Sequence, residues 1–238
     1  GGLREGELRR GLRALRGALE KTAGRDTGGA RVDVALLPPL ADSRLVDLPP
    51  MTEAEARAVL QRDAGRYFLG AGKARVVGVA GLGAAVRHRR DPGGGREGGV
   101  LPSTLAASTS LELMEDLRSD VEAAGWRLRW TTPGHAAWLE AGMGVGRRGQ
   151  DPLGVVAVTG AVAHVMRLEK GKTTGVRQLP VDDLPAVAEA LGGGPGAVVA
   201  LAPPEVLGGL TKSLGEMGFT VQDDPDGSSS AEEVAARQ

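Results

Sequence analysis

Apolar residues recur at helical spacing at Leu8, Leu12, Leu15 and Leu19, with Arg4, Arg9, Arg10, Arg13 and Arg16 around them. This pattern predicts a surface helix over 3–20 whose basic side is solvated. Glycines over 24–29 suit a turn, and the run 32–37 reads as a buried strand stopped by Pro38 and Pro39.

The clearest order follows. Residues 44–48 alternate as a short strand ending at Pro49 and Pro50. Thr52 and Glu55 have capping-box spacing, in which hydroxyl and carboxylate each satisfy a free N–H at the helix start. The helix they open turns Ala56, Val59, Leu60, Ala64 and Tyr67 to one side. Residues 74–88 read as a strand, 91–95 as a Pro-Gly turn and 100–106 as the returning strand. Thr109 and Glu112 predict a second capping box, before a helix faced by Leu113, Leu117, Val121 and Ala124. Gly125 suits its C-terminal cap, and 126–130 reads as a further strand. The order β-α-β-β-α-β predicts a ferredoxin-like subdomain across 44–131.

Pro133 precedes a short predicted helix, 134–141, and the Gly- and Arg-rich stretch 142–152 reads as a linker. Strands follow at 155–158, 163–168 and 175–179, the last two joined by a turn over 171–175. Asp182 or Asp183 caps a helix running to Leu191, and 197–201 is a buried strand. Pro204 suits a first helical turn, ahead of an apolar face of Val206, Leu207, Leu210, Leu214 and Met217. A last strand at 219–221 leads to a frayed polar tail from Asp223. Strands and helices thus mix as in an α/β protein.

A chain of 238 residues can form two lobes, here divided at the linker into 1–150 and 152–238. Aromatic residues are only 3%, so the cores are built from Leu, Val and Ala and offer few rings for stacking bases. A net charge of −1 gives no electrostatic reason to expect nucleic acid as a partner. Without cysteine there is no disulfide framework, thiolate zinc site or cysteine nucleophile, which fits a cytoplasmic protein. No signal peptide is visible, and no apolar run approaches the roughly 20 residues of a spanning helix, so direct membrane insertion is not expected. The start at Gly1, without an initiator Met, reads as that of a fragment.

Several motifs tempt. Gly171-Lys172-Thr173 looks like the end of a phosphate-binding P-loop, but Met166 stands where its first glycine belongs, so 169–172 reads as a hairpin turn. Gly81-Leu82-Gly83 lacks the third glycine and the helix of a dinucleotide fingerprint. His88, His135 and His164 have no metal-ligand spacing and read as structural, so no metal is expected. Ser103, Ser108 and Ser110 lie near a helix start, where capping explains them. The basic run 87–90 with Arg96 reads as a solvated hairpin tip. No catalytic acid–base pair emerges from spacing.

The stretch Arg44-Leu45-Val46-Asp47-Leu48-Pro49-Pro50-Met51-Thr52-Glu53-Ala54-Glu55 resembles a recurring segment of PilM, the actin-like type IV pilus assembly family. A strand ends there in Leu-Pro and a Glu- and Ala-rich helix follows. Ala64-Gly65-Arg66-Tyr67-Phe68 is similar to that helix's aromatic end, and 111–126 to the helix before the family's "AAGL"-type turn. Residues 155–160, Gly171 and Arg177-Gln178-Leu179-Pro180 are similar to the opening of the second lobe. The cytoplasmic part of the secretion protein GspL shares the plan, and the likeness spans about 30–221.

The resemblance implies an actin-like (RNase H-like) two-lobe fold with an inserted ferredoxin-like subdomain, the first lobe incomplete at its N-terminus. It also implies a degenerate nucleotide site. The second phosphate loop is usually Asp-x-Gly-x-x-x-Thr; here Val158 takes the Asp place and His164 the Thr place. Gly160, with Thr159, is what remains as a cofactor-binding remnant. Ala202-Pro203-Pro204 replaces the Gly-Gly of the adenosine side. The expectation is therefore a non-enzymatic scaffold without cofactor, under the inner membrane. It would bind the cytoplasmic tail of a pilus or secretion membrane protein and contact the motor ATPase. The alternative is an ATP-binding or ATP-hydrolysing protein whose N-terminal phosphate loop lies outside this chain.

Overall fold

The structure is a computed structural model that describes residues 7–24, 26–49, 51–68, 74–81, 104–146, 152–170 and 172–222. Outside them lie the basic run 87–90 with His88, Arg96, the turn 91–95, Ser103, Leu82 and Gly83, Gly171 and the tail from Asp223. In chain order the described elements are α1 (Glu7–Ala23), β1 (Arg31–Leu36), β2 (Asp42–Val46), α2 (Glu53–Arg62), α3 (Ala64–Tyr67), β3 (Arg75–Gly81) and β4 (Thr104–Ser110). Then come α4 (Leu111–Ala123), β5 (Arg127–Pro133), α5 (Gly134–Gly146), β6 (Leu153–Thr159), β7 (Val162–Glu169), β8 (Lys172–Pro180), α6 (Leu184–Ala190), β9 (Ala197–Leu201), α7 (Pro204–Glu216) and β10 (Thr220–Gln222).

Three sheets form. The largest has the order β10-β9-β6-β7-β8, with β6, β7 and β8 antiparallel and β9 parallel to β6. Period-2 alternation divides its side chains between two cores. Val156, Val158, Ala163 and Val165 face α6 and α7. Val155, Ala157, Met166 and Leu168 face Trp138 and Leu139 of α5, where Leu105 of β4 and, half-buried, Leu37 and Leu45 also arrive. This second cluster is the seam between the lobes, and α5 runs through it.

The ferredoxin-like order is realised in three strands. β2 and β3 flank β4, each antiparallel to it, so β2-α2-β3 is a split β-α-β unit with Leu60, Phe68, Val77 and Ala106 in its core. The fourth expected strand departs: β5 pairs in parallel with β1 in a separate sheet. Val32, Val34 and Leu128 turn inward there with Leu117, Val121 and Trp126 beneath α1 and α4, while Asp33 pairs with Arg129 across the strands. That apolar face, together with the ion pair, gives β5 a better partner than the edge of β2.

Other boundaries shift for local reasons. The Thr52–Glu55 capping box is present, with both reciprocal bonds made. The second cap is Ser110, whose hydroxyl accepts the Leu113 N–H at 3.0 Å; Thr109 still belongs to β4 and donates to the Leu40 carbonyl at 2.7 Å. Ser108 is no cap either: buried, its hydroxyl accepts from Arg75 at 2.6 Å. Helix α5 runs to Gly146 instead of stopping at 141, because Gly142 serves contact and not termination. A Cβ there would lie 2.2 Å from Val155 Cγ2, so only glycine lets α5 approach β6 this closely. The basic side of α1 is also less free than its pattern predicts. Arg9 binds Asp120 at 2.7 Å, and Arg16 reaches the Ala124 carbonyl at 2.8 Å, tying α1 to the α4–β5 corner.

Candidate functional site

The stretch that the resemblance reads as a second phosphate loop is the β6–β7 hairpin. Ala157 faces His164, Val158 faces Ala163 and Thr159 faces Val162, leaving Gly160 and Ala161 as a two-residue turn. Gly160 has φ +58, the left-handed region glycine enters at no steric cost. Among the expected site residues, Gly160 is thus the exposed turn and Thr159 its half-buried flank. Val158 is wholly buried, pointing away from the seam into the core beneath α6 and α7.

On the opposite, seam-facing side of the hairpin lie Thr159 and His164. Thr159 Oγ1 and His164 Nε2 share a hydrogen bond of 2.8 Å. His164 meets His135, from the first turn of α5, with ring centroids 5.0 Å apart in an edge-to-face arrangement. Trp138, one turn later, lies 5.2 Å from each imidazole. Both histidines are buried, and neither nitrogen of His135 nor Nδ1 of His164 has a hydrogen-bond partner. Burial pushes His164 down to about 4; burial, with a smaller contribution from His164, pushes His135 down to about 3. Both rings are therefore neutral near pH 7.

Sequence spacing brings none of this together, because His135 and His164 stand in different elements and meet only when α5 docks on β7. A buried pair of histidines is visible in sequence only as two polar residues within apolar runs. At the adenosine-side position, Ala202 is buried and Pro203 forms the N-cap of α7 without a side-chain bond. The Pro203 carbonyl accepts from the N–H groups of Val206 and Leu207, and Pro204 has no N–H to offer.

Chemically the hairpin is sparse. Residues 152–168 contain no Asp or Glu, so no carboxylate beside the Gly160 turn could hold magnesium or orient a water at a phosphate; the one carboxylate of the two strands, Glu169, is at the far end of β7 and pairs with Arg167. Among the described residues no group of three or more His, Asp or Glu is placed to bind a metal. In the region of the Gly-Lys-Thr stretch Lys170 adopts φ 52 and β8 begins at Lys172, while Gly171 lies outside the described residues. A separate open groove of about 630 Å³ lies on the first lobe between Arg118 and Glu122 of α4 and Arg127 and Leu128 of β5, away from the hairpin. No described helix is long and apolar enough to cross a membrane.

No protein-family profile matches this chain, and no curated protein matches its sequence. Solved structures do. A chain of the PilM–PilN type IV pilus biogenesis complex matches 99% of this chain and 83% of its own length, with TM-score 0.67 and 14% identity. The cytoplasmic domain of EpsL, an inner membrane component of the Vibrio cholerae type II secretion system, matches over 96% and 79%, with TM-score 0.53 and 13% identity. A Bacteroides thetaiotaomicron protein with an actin-like ATPase fold matches over 87% and 74%, with TM-score 0.55 and 10% identity.

Proposed function

We propose, from the actin-like fold shared with these structures, that this chain is a non-catalytic scaffold in the cytoplasmic assembly platform of a type IV pilus or type II secretion system. The observation that carries the reading is the β6–β7 hairpin on an otherwise retained actin-like fold. Its phosphate-loop Asp position is a buried core valine, Val158, and the Thr position is His164, held in a ring cluster. A hairpin built this way has apolar packing where a nucleotide-hydrolysing relative needs a carboxylate beside the phosphates. Gly160 and Thr159 then form a turn and its brace.

The scaffold binds a short cytoplasmic tail of an inner-membrane partner, and contact with the motor ATPase belongs to the same reading. The likeness to a chain of the PilM–PilN complex supports the tail. The three-stranded β2-β4-β3 module is the part best suited to receive it, since a sheet edge can pair with an extended peptide. The test is a pull-down of the partner's tail by this chain. Deleting the tail's anchor is expected to abolish retention while the circular dichroism of this chain is unchanged. Retention unaffected by the deletion would remove the reading.

The ATP-binding alternative keeps one supporting observation, the left-handed Gly160 turn at the expected place in the hairpin.

A further inference from the structure

The lobe connector α5 is pinned at its first turn by a cluster that has no charge to balance it. His135 and Trp138 come from α5 and His164 from β7, so the contact spans the link between the β1–β5 sheet and the five-stranded sheet. Three ring nitrogens in it are buried without a hydrogen-bond partner. A neutral imidazole buried this way forgoes its donor and acceptor bonds, a cost far below that of burying an imidazolium, whose two N–H groups need acceptors or water.

The side chains described around the rings supply one acceptor, Thr159 Oγ1 on His164 Nε2. Around the rings the seam is built of Leu105, Leu139, Val155, Ala157 and Met166. On β7 the remaining charges, Arg167 and Glu169, pair with one another, as do Asp42 and Arg44 of β2, and Asp33 of β1 with Arg129 of β5. Strands β4, β6 and β9 carry no ionisable residue. Glu140 of α5 is exposed, and Arg31, Arg127 and Arg177 have no part in the shifts of either ring; among the described groups the one charge that acts on His135 is that of His164.

We propose that the His135–Trp138–His164 cluster is an acid-sensitive latch: it holds α5 against the hairpin strand β7 while both imidazoles are neutral, and protonation of either one releases the connector between the lobes.

The sign follows from linkage. In the latched state the rings titrate at about 3 and about 4, whereas a released, solvated imidazole titrates near 6.5. The released state therefore binds more protons at every pH between these values. Latching is at full strength above about pH 6.5 and weakens as pH falls, by up to about tenfold in the opening equilibrium per pH unit for each imidazole. Weakening thus begins in mildly acidic solution, well before either latched ring is itself protonated.

Hydrogen exchange read by mass spectrometry on the whole chain between pH 7.5 and 4.5, corrected for intrinsic exchange, tests this. Segment 134–146 is expected to lose protection steeply below pH 6.5, while α7, on the far face of the sheet, stays protected. His135→Leu removes no hydrogen bond and is expected to fold and to flatten the pH dependence to about half. His164→Leu combined with Thr159→Val, which leaves no orphaned hydroxyl, provides an independent second variant with the same expected outcome. A pH-independent segment 134–146, simultaneous loss of protection in α7, or an unchanged pH dependence in both variants would each overturn the latch.

Discussion

Gly142 shows how a single missing Cβ sets the distance between two elements. It sits within α5, where glycine costs about 1 kcal/mol relative to alanine in an exposed helix. Here the sign reverses, because the added methyl would meet Val155 Cγ2 at 2.2 Å in a fully buried strand. Gly142→Ala is expected to lower stability by about 1–3 kcal/mol in urea unfolding. Val155→Ala in the same chain should recover part of that loss, giving a clear coupling energy in the double-mutant cycle. At this scale the sequence was partly misleading. Gly142 stands amid glycines and arginines and looks like the start of a linker, and only the tertiary approach of β6 explains why it belongs in a helix. Val158 was legible as the wrong residue for a phosphate loop, but its direction, away from the seam, required the hairpin register.

Among the elements, the edge of β3 is managed by a side chain. The Gln61 carboxamide of α2 donates to the Arg75 carbonyl at 2.5 Å and accepts the Val77 N–H at 2.9 Å, as the peptide group of a neighbouring strand would. Open strand edges invite pairing with other chains, and Gln61 occupies part of this one. Gln61→Ala is expected to cost about 1 kcal/mol and to produce concentration-dependent self-association in sedimentation velocity; a variant that stays monomeric would show that the edge is protected otherwise. The elements legible in sequence were those with local signatures: the Thr52–Glu55 box, the β7–β8 hairpin turn, Pro204 opening α7. The pairing of β5 with β1 was not, because the partners lie nearly a hundred residues apart and nothing local distinguishes a fourth ferredoxin-like strand from a parallel partner of β1. Ser110 was among the serines read as capping, but the capping box was placed one residue early for a related reason, since β4 keeps Thr109 in its ladder opposite Val76.

Across the whole molecule, the five-stranded sheet separates two roles. One face, with α6 and α7, is a closed core of valines and leucines. The other is the seam on which α5 and the first lobe settle. That face carries neutral rings and aliphatic side chains beside a hairpin with no Asp or Glu over 152–168. The actin-like plan was legible in the strand-and-helix order and in the Leu-Pro-Pro and Arg-x-Leu-Pro segments that carry the resemblance, although the structural match to a chain of the PilM–PilN complex is only 14% identical. The ring cluster was not, because it depends on how the lobes meet. The central claim is that this fold is used for assembly without nucleotide turnover. Isothermal titration of the chain with Mg-ATP and with Mg-ADP tests it most directly. The account predicts no heat of binding for either nucleotide, whereas magnesium-dependent binding of either one would contradict it and put the ATP-binding reading first.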